Sequence, residues 1–158
     1  MKLKLIRNVL AAAALVGASV AFPVAAHAAD KVCKLAITGT DLMQYDKQEL
    51  DVAGDCTSVE LTITHGGKLP KEAMGHNWVL VNAPDLSAVA NAGMSAGAAN
   101  NYVAPGDKKV LANTKLVGSG ESATVTFSTS ILKKGGAYMY LCTFPGHNSS
   151  MRGTFKFG

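Results

Sequence analysis

Ser58-Val59-Glu60-Leu61-Thr62-Ile63-Thr64 alternates apolar and polar side chains without a break. A period of two puts Val59, Leu61 and Ile63 on one face and Glu60, Thr62 and Thr64 on the other, the pattern of a half-buried strand. Working outward, residues 34–38, 77–81, 123–127, 138–143 and 153–157 read the same way. Leu35 shares a face with Ile37, Val125 with Phe127, and Phe155 with Phe157. Gly54-Asp55, Gly66-Gly67, Gly118-Ser-Gly120 and Gly135-Gly136 mark turns between them. Many short strands with frequent glycine turns predict an all-β chain folded as an antiparallel sandwich or barrel. Residues 84–99 depart from this pattern. They are rich in alanine and place Leu86, Val89, Ala90 and Met94 at helical spacing. Asp85 sits where it complements the positive end of a helix dipole. Gly93 and Gly97 weaken a helix, so one or two turns inside a long insertion are expected.

The N-terminus carries a different signal. Lys2, Lys4 and Arg7 form a basic start, residues 9–22 are an apolar run, Pro23 follows, and Ala26-His27-Ala28 has the A-x-A form of a processing site. The run is shorter than a membrane-spanning helix needs. These features predict a secretory signal peptide over residues 1–28, cleaved after Ala28, and one domain over residues 29–158. No second apolar stretch is long enough to cross a bilayer.

Removing the leader changes the charge balance. The full chain carries a formal +4, but three of its 15 basic residues and none of its 11 acidic ones lie in residues 1–28. The remainder is close to neutral, so the basic balance gives no argument for nucleic acid. Lys108-Lys109 and Lys133-Lys134 are isolated pairs suited to solvated turns.

Three cysteines in an exported chain leave one thiol unpaired or otherwise occupied. The economical assignment is a Cys33–Cys56 disulfide, with Cys142 kept for a metal. The plainer alternative is a free reactive thiol at Cys142, open to oxidation.

Cys142 opens the stretch Cys142-Thr-Phe-Pro-Gly-His147-Asn-Ser-Ser-Met151. A thiolate, an imidazole and a thioether within one loop suit copper in both oxidation states. Two His and one Cys with a distant axial Met make the ligand set of blue-copper electron-transfer sites. Gly75-His76-Asn77-Trp78 is the obvious source of the second imidazole. His76 begins one expected strand and Cys142 ends another, and in a sandwich such ends can meet at one pole. Singly, His76 reads as a surface histidine, Met151 as packing and Cys142 as a buried thiol; jointly, in an exported β protein with an odd cysteine count, they point to a metal. Structural zinc sites favour closely spaced ligand pairs and no Met. A Cys142 nucleophile with His147 as base fits the spacing, but no third orienting group is evident.

The chain resembles the azurins, blue-copper proteins of the bacterial periplasm with the cupredoxin fold. The resemblance covers residues 29–158 and is most specific in Met74-Gly-His-Asn-Trp-Val-Leu80, Thr114-Lys-Leu-Val-Gly-Ser-Gly-Glu121 and Cys142-Thr-Phe-Pro-Gly-His147. It implies a Greek-key β-sandwich with a short helical insertion and one copper ion. His76, Cys142 and His147 would be the strong ligands, with Met151 and the Gly75 carbonyl as weak axial ones. Asn77 and Thr143 would tie the two ligand loops together, and the Asn77 and Phe144 amides would donate to the Cys142 sulfur. Cys33 and Cys56 match the family disulfide, His65 a histidine beside the site, and Trp78 a core tryptophan. Leu69, Ala73, Met74, Met94, Phe144 and Pro145 match an apolar docking patch around the edge of His147. The implied role is a periplasmic, monomeric one-electron carrier that is not an enzyme. Its partners would be redox proteins such as c-type cytochromes, nitrite reductase or amine dehydrogenases. The chain departs from the family in Asn148-Ser149-Ser150, which is more polar than many azurin loops before the axial Met.

Overall fold

The computed structural model describes residues 30–158; the expected signal peptide lies outside the described residues. Among the described residues, nine strands form two sheets: β1 Val32–Thr40, β2 Gln44–Tyr45, β3 Glu49–Val52, β4 Ser58–His65, β5 Val79–Asn82, β6 Val110–Asn113, β7 Ser122–Ser128, β8 Tyr138–Leu141 and β9 Arg152–Phe157. One sheet has the order β2-β1-β4-β7 and the other β3-β9-β8-β5-β6. The alternation in β4 is realised in full: Val59, Leu61 and Ile63 are buried while their neighbours are half-exposed. The inward faces of both sheets meet around Trp78, whose ring centroid lies 6.1 Å from those of Phe127, Tyr140 and Phe155.

The sheets are mixed, which corrects the antiparallel expectation. β1 runs parallel to β4, and β3 runs parallel to β9. Parallel neighbours need a crossover connection. Here the chain leaves β1, visits the second sheet at β3 and returns as β4. Side-chain alternation reports which face is buried and is silent on strand direction. The Cys33–Cys56 disulfide fastens the start of the parallel β1–β4 pair across 23 residues. Closing a loop of that size stabilises the fold by about 3 kcal/mol in the chain-entropy account.

The helical insertion is longer than predicted. A short helix α1, Lys71–Met74, precedes it, and α2 runs over Leu86–Ala96 for 11 residues. Leu86, Val89 and Ala90 bury against β5 and β8. Gly93 is buried too, and a Cβ there would strike the Tyr102 carbonyl and the Thr143 side chain. This glycine therefore serves close packing, and Gly97, at φ 73°, ends the helix.

Candidate metal centre

The site lies where the loops between β4 and β5, β8 and β9, and β1 and β2 come together. His76 sits just before β5. Its backbone is pinned by two hydrogen bonds with Val117: His76 N donates to Val117 O at 2.9 Å, and Val117 N donates to His76 O at 2.8 Å. Cys142 follows β8 directly. Its amide donates to Met151 O at 2.9 Å, and the Met151 amide donates to His147 O at 2.8 Å, so the loop is closed on itself at both ends. Gly146, at φ 82°, supplies the left-handed turn that brings His147 back toward Cys142.

These loops bring His76, Cys142 and His147 together, with one donor atom from each lying within 4.8 Å of the others. Cys142 Sγ is 3.7 Å from His147 Nδ1 and 4.0 Å from the Gly75 carbonyl oxygen. His76 and Cys142 are wholly buried and His147 is 2 % exposed. Met151 is also fully buried. A Cβ placed on Gly39 would lie 2.6 Å from His76 Cδ2 and 3.2 Å from the Met151 methyl, so the thioether approaches the His76 ring across that glycine.

Asn77 holds the two ligand loops together. Its Nδ2 donates to Thr143 Oγ1 and to the Asn101 carbonyl, both at 2.8 Å, and its Oδ1 accepts from the Thr143 amide at 2.9 Å. Tyr45, on β2 of the facing sheet, donates its hydroxyl to the Asn77 carbonyl. His65 stacks on His76 with centroids 4.6 Å apart and planes 12° from parallel. Its Nδ1 accepts from the Gly67 amide, so Nε2 carries the proton and donates to the Met74 carbonyl at 2.9 Å.

The donor atoms are in states that suit a metal. Nε2 of His76 donates to the Thr40 carbonyl at 3.0 Å, leaving the Nδ1 lone pair facing inward. That Nδ1 is buried with no hydrogen-bond partner among the described residues. An orphaned buried nitrogen is costly for a protein but ordinary for a ligating atom whose other ring nitrogen is tied to a carbonyl. Burial first, then the neighbouring histidines, pulls His76 down to about 4. Burial, with a smaller effect from His65, does the same to His147. Both imidazoles are therefore neutral and available at neutral pH. Burial pushes the Cys142 thiol up to about 11, against the opposing pull of the Asn77 and Phe144 amides. A wholly buried thiol held this high is not an activated nucleophile, which disfavours a Cys142–His147 hydrolase. One soft sulfur and two imidazoles, enclosed and preset, fit copper.

The structure also distributes the apolar patch. Leu69 and Met94 are 41 % and 42 % exposed, Ala73 and Pro145 are exposed, and Met74 is half-buried. Phe144 belongs mainly to the core: it is 9 % exposed, with its ring between Tyr102 and His147. Several neighbours were not legible in the sequence. Leu42 and Met43 are exposed apolar residues on the loop after β1. Ser150 Oγ donates to the Met43 carbonyl at 2.7 Å, which gives the polar loop before Met151 a structural task. A glycine inside a strand pattern, as at Gly39, was the available signal for close approach.

Comparison with known proteins agrees with this geometry. Residues 31–158 match the family model described as copper binding proteins, plastocyanin/azurin family. The chain is 45 % identical over 121 residues to an azurin of Pseudomonas chlororaphis, covering 77 % of this chain and 94 % of that protein. It is 46 % identical over 124 residues to an azurin of Bordetella pertussis, covering 78 % and 83 %. The solved structure of azurin iso-2 from Methylomonas sp. strain J superposes with a TM-score of 0.77 at 44 % identity, over 80 % of this chain and 98 % of that one. A family match over nearly all described residues thus coincides with a buried His-Cys-His cluster, and the chain belongs to the plastocyanin/azurin family of copper binding proteins.

Proposed function

We propose that this chain is a periplasmic blue-copper protein that carries single electrons between redox proteins. The observation that carries this reading is the enclosed trio of His76, Cys142 and His147, with His76 Nδ1 orphaned inside it. His76 Nδ1, Cys142 Sγ and His147 Nδ1 would hold the ion, with the Met151 thioether and the Gly75 carbonyl as weaker axial donors. Copper bound there supplies one-electron cycling between Cu(II) and Cu(I). The protein's part is to keep the donors fixed. The Asn77 clamp, the His76–Val117 pairing and the self-closed Cys142–Met151 loop leave the ligands little freedom between the two states. The Asn77 and Phe144 amides, which oppose the upward push on the Cys142 thiol, would withdraw electron density from the sulfur.

The electron would leave through His147, the least buried of the three. Exposed Leu69, Met94, Ala73 and Pro145 carry no charge and suit brief encounters. C-type cytochromes, nitrite reductase and amine dehydrogenases are the partner classes proposed, and the working form is a monomer of residues 29–158 after cleavage following Ala28. No bond chemistry is assigned to the site. Among the described residues no helix is long and apolar enough to cross a membrane. Stopped-flow mixing of the reduced protein with an oxidised c-type cytochrome tests the carrier role. Fast oxidation with retained copper supports it; no exchange with copper retained would leave a protein that only stores the metal.

A further inference from the structure

We propose that Gly39 is a positioning residue for the metal centre: its missing Cβ is the space that lets His76 and Met151 take up their places. The inference rests on the ligand assignment above. Glycine inside a strand is unfavourable, because it loses more backbone freedom on folding and packs nothing. Gly39 has no positive φ to account for its presence. The account is steric. A Cβ at this position would stand 2.6 Å from His76 Cδ2, 3.0 Å from His76 Cγ and 3.2 Å from Met151 Cε.

Of the neighbours, only the Met151 thioether can yield freely. The His76 ring is stacked on His65 and held by Nε2 to the Thr40 carbonyl. Its backbone is fixed by both bonds to Val117. The strand carrying Gly39 is paired on both sides, with Tyr45 of β2 and His65 of β4, and its carbonyl accepts from the Gly66 amide at 2.8 Å. Met151 is bonded through its amide and its carbonyl, which leaves only the thioether free to swing. An added methyl would therefore tilt the imidazole, displace the thioether, or both. Gly39 thus governs where His76 Nδ1 points and how closely the Met151 sulfur can approach. Gly66 provides a comparison: a Cβ there would lie 2.7 Å from Thr38 Cγ2 and 3.6 Å from the Gly39 carbonyl oxygen, with neither His76 nor Met151 among its near contacts.

The test uses Gly39→Ala and Gly66→Ala in the mature chain. In the metal-free proteins, NMR follows the methionine methyls and the histidine ring protons. Gly39→Ala should move the Met151 methyl and His76 ring signals and leave Met94 in place, whereas Gly66→Ala should move the Met151 and His76 signals far less. With Cu(II), Gly39→Ala should weaken copper binding by roughly tenfold or more, the size typical of losing a residue that orients a ligand. It should also alter the visible and EPR spectra. Unchanged signals and affinity in Gly39→Ala, or equal changes in Gly66→Ala, would overturn the proposal. If Gly39→Ala does not fold, the same change is made in a His76→Gly background, where the obstructing ring is gone. Recovery of folding there supports the steric account, and failure there while His76→Gly alone folds refutes it. Absence of a blue spectrum in the unmodified protein would count against the ligand assignment, and the metal-free measurements would still judge Gly39.

Discussion

Replacing Asn77 by leucine should cost the metal-free protein about 3–5 kcal/mol. Asn77 is fully buried, and leucine keeps its branched four-atom side chain but is the bulkier of the two, so any crowding adds to the loss. What disappears is the bonding. Nδ2 gives up its bonds to Thr143 Oγ1 and the Asn101 carbonyl, each contributing about 1 kcal/mol net. The Thr143 amide loses Oδ1 and is stranded in the interior, which adds about 1–3 kcal/mol. Thr143→Val is the calibrating change. It removes only the hydroxyl, and Nδ2 retains the Asn101 carbonyl, so about 1 kcal/mol should be lost. Domains of this kind are stable by about 5–15 kcal/mol, so both variants should fold. Urea unfolding of the two metal-free variants measures the difference. Copper should also dissociate faster from Asn77→Leu than from Thr143→Val, because the two ligand loops are no longer tied. Equal, small losses in both variants would refute the claim that Asn77 clamps the site.

Met151→Leu removes a thioether at similar volume, so copper should stay bound and the reduction potential should rise, since a weaker axial donor disfavours Cu(II) more than Cu(I); voltammetry showing lost copper or an unchanged potential would count against an axial role. Met74→Lys should leave the blue spectrum nearly intact and slow electron self-exchange by about an order of magnitude, because like charges facing each other add on the order of 1 kcal/mol. Thr126→Lys, on an exposed position of β7, should do little in the same NMR line-broadening assay. Glu121 accepts from Lys71 and from the Gly118 amide, which hold its carboxyl below the ordinary 4.5, Lys71 first. A lowered folded value means that its stabilisation is complete above the unfolded pKa and fades as pH falls through the folded one. The melting-temperature gap between the unmodified protein and Glu121→Gln should therefore be present at neutral pH and close below pH 4.5.

How much of this was written in the sequence depends on the kind of information each residue carries. Burial in β4 was legible because alternation reports a face directly. The parallel pairing of β1 with β4 was not, since the same alternation serves either direction. β3 shows the alternation Leu50, Val52 too, but four residues are too few to separate it from chance. Gly93 looked like a weak point of a helix and proves to be the place where α2 packs against the Thr143 side chain. The cluster of His76, Cys142 and His147 was legible because its donor set is chemically unusual. The contributions of Thr40, Asn101 and Met43 were not, because each offers a backbone carbonyl, which every residue possesses. Backbone groups are recruited by position in the fold, and position is what a short pattern does not contain.

The central claim is that Cys142, His76 and His147 together bind copper as a thiolate site. Its most direct test is the visible and EPR spectrum of the mature protein after one equivalent of Cu(II), recorded beside Cys142→Ser. Thiolate bonding predicts an intense charge-transfer band in the red part of the spectrum, with the narrow copper hyperfine splitting of a blue site, both lost in Cys142→Ser. A colourless complex with an ordinary tetragonal EPR signal, the same in both proteins, would contradict it.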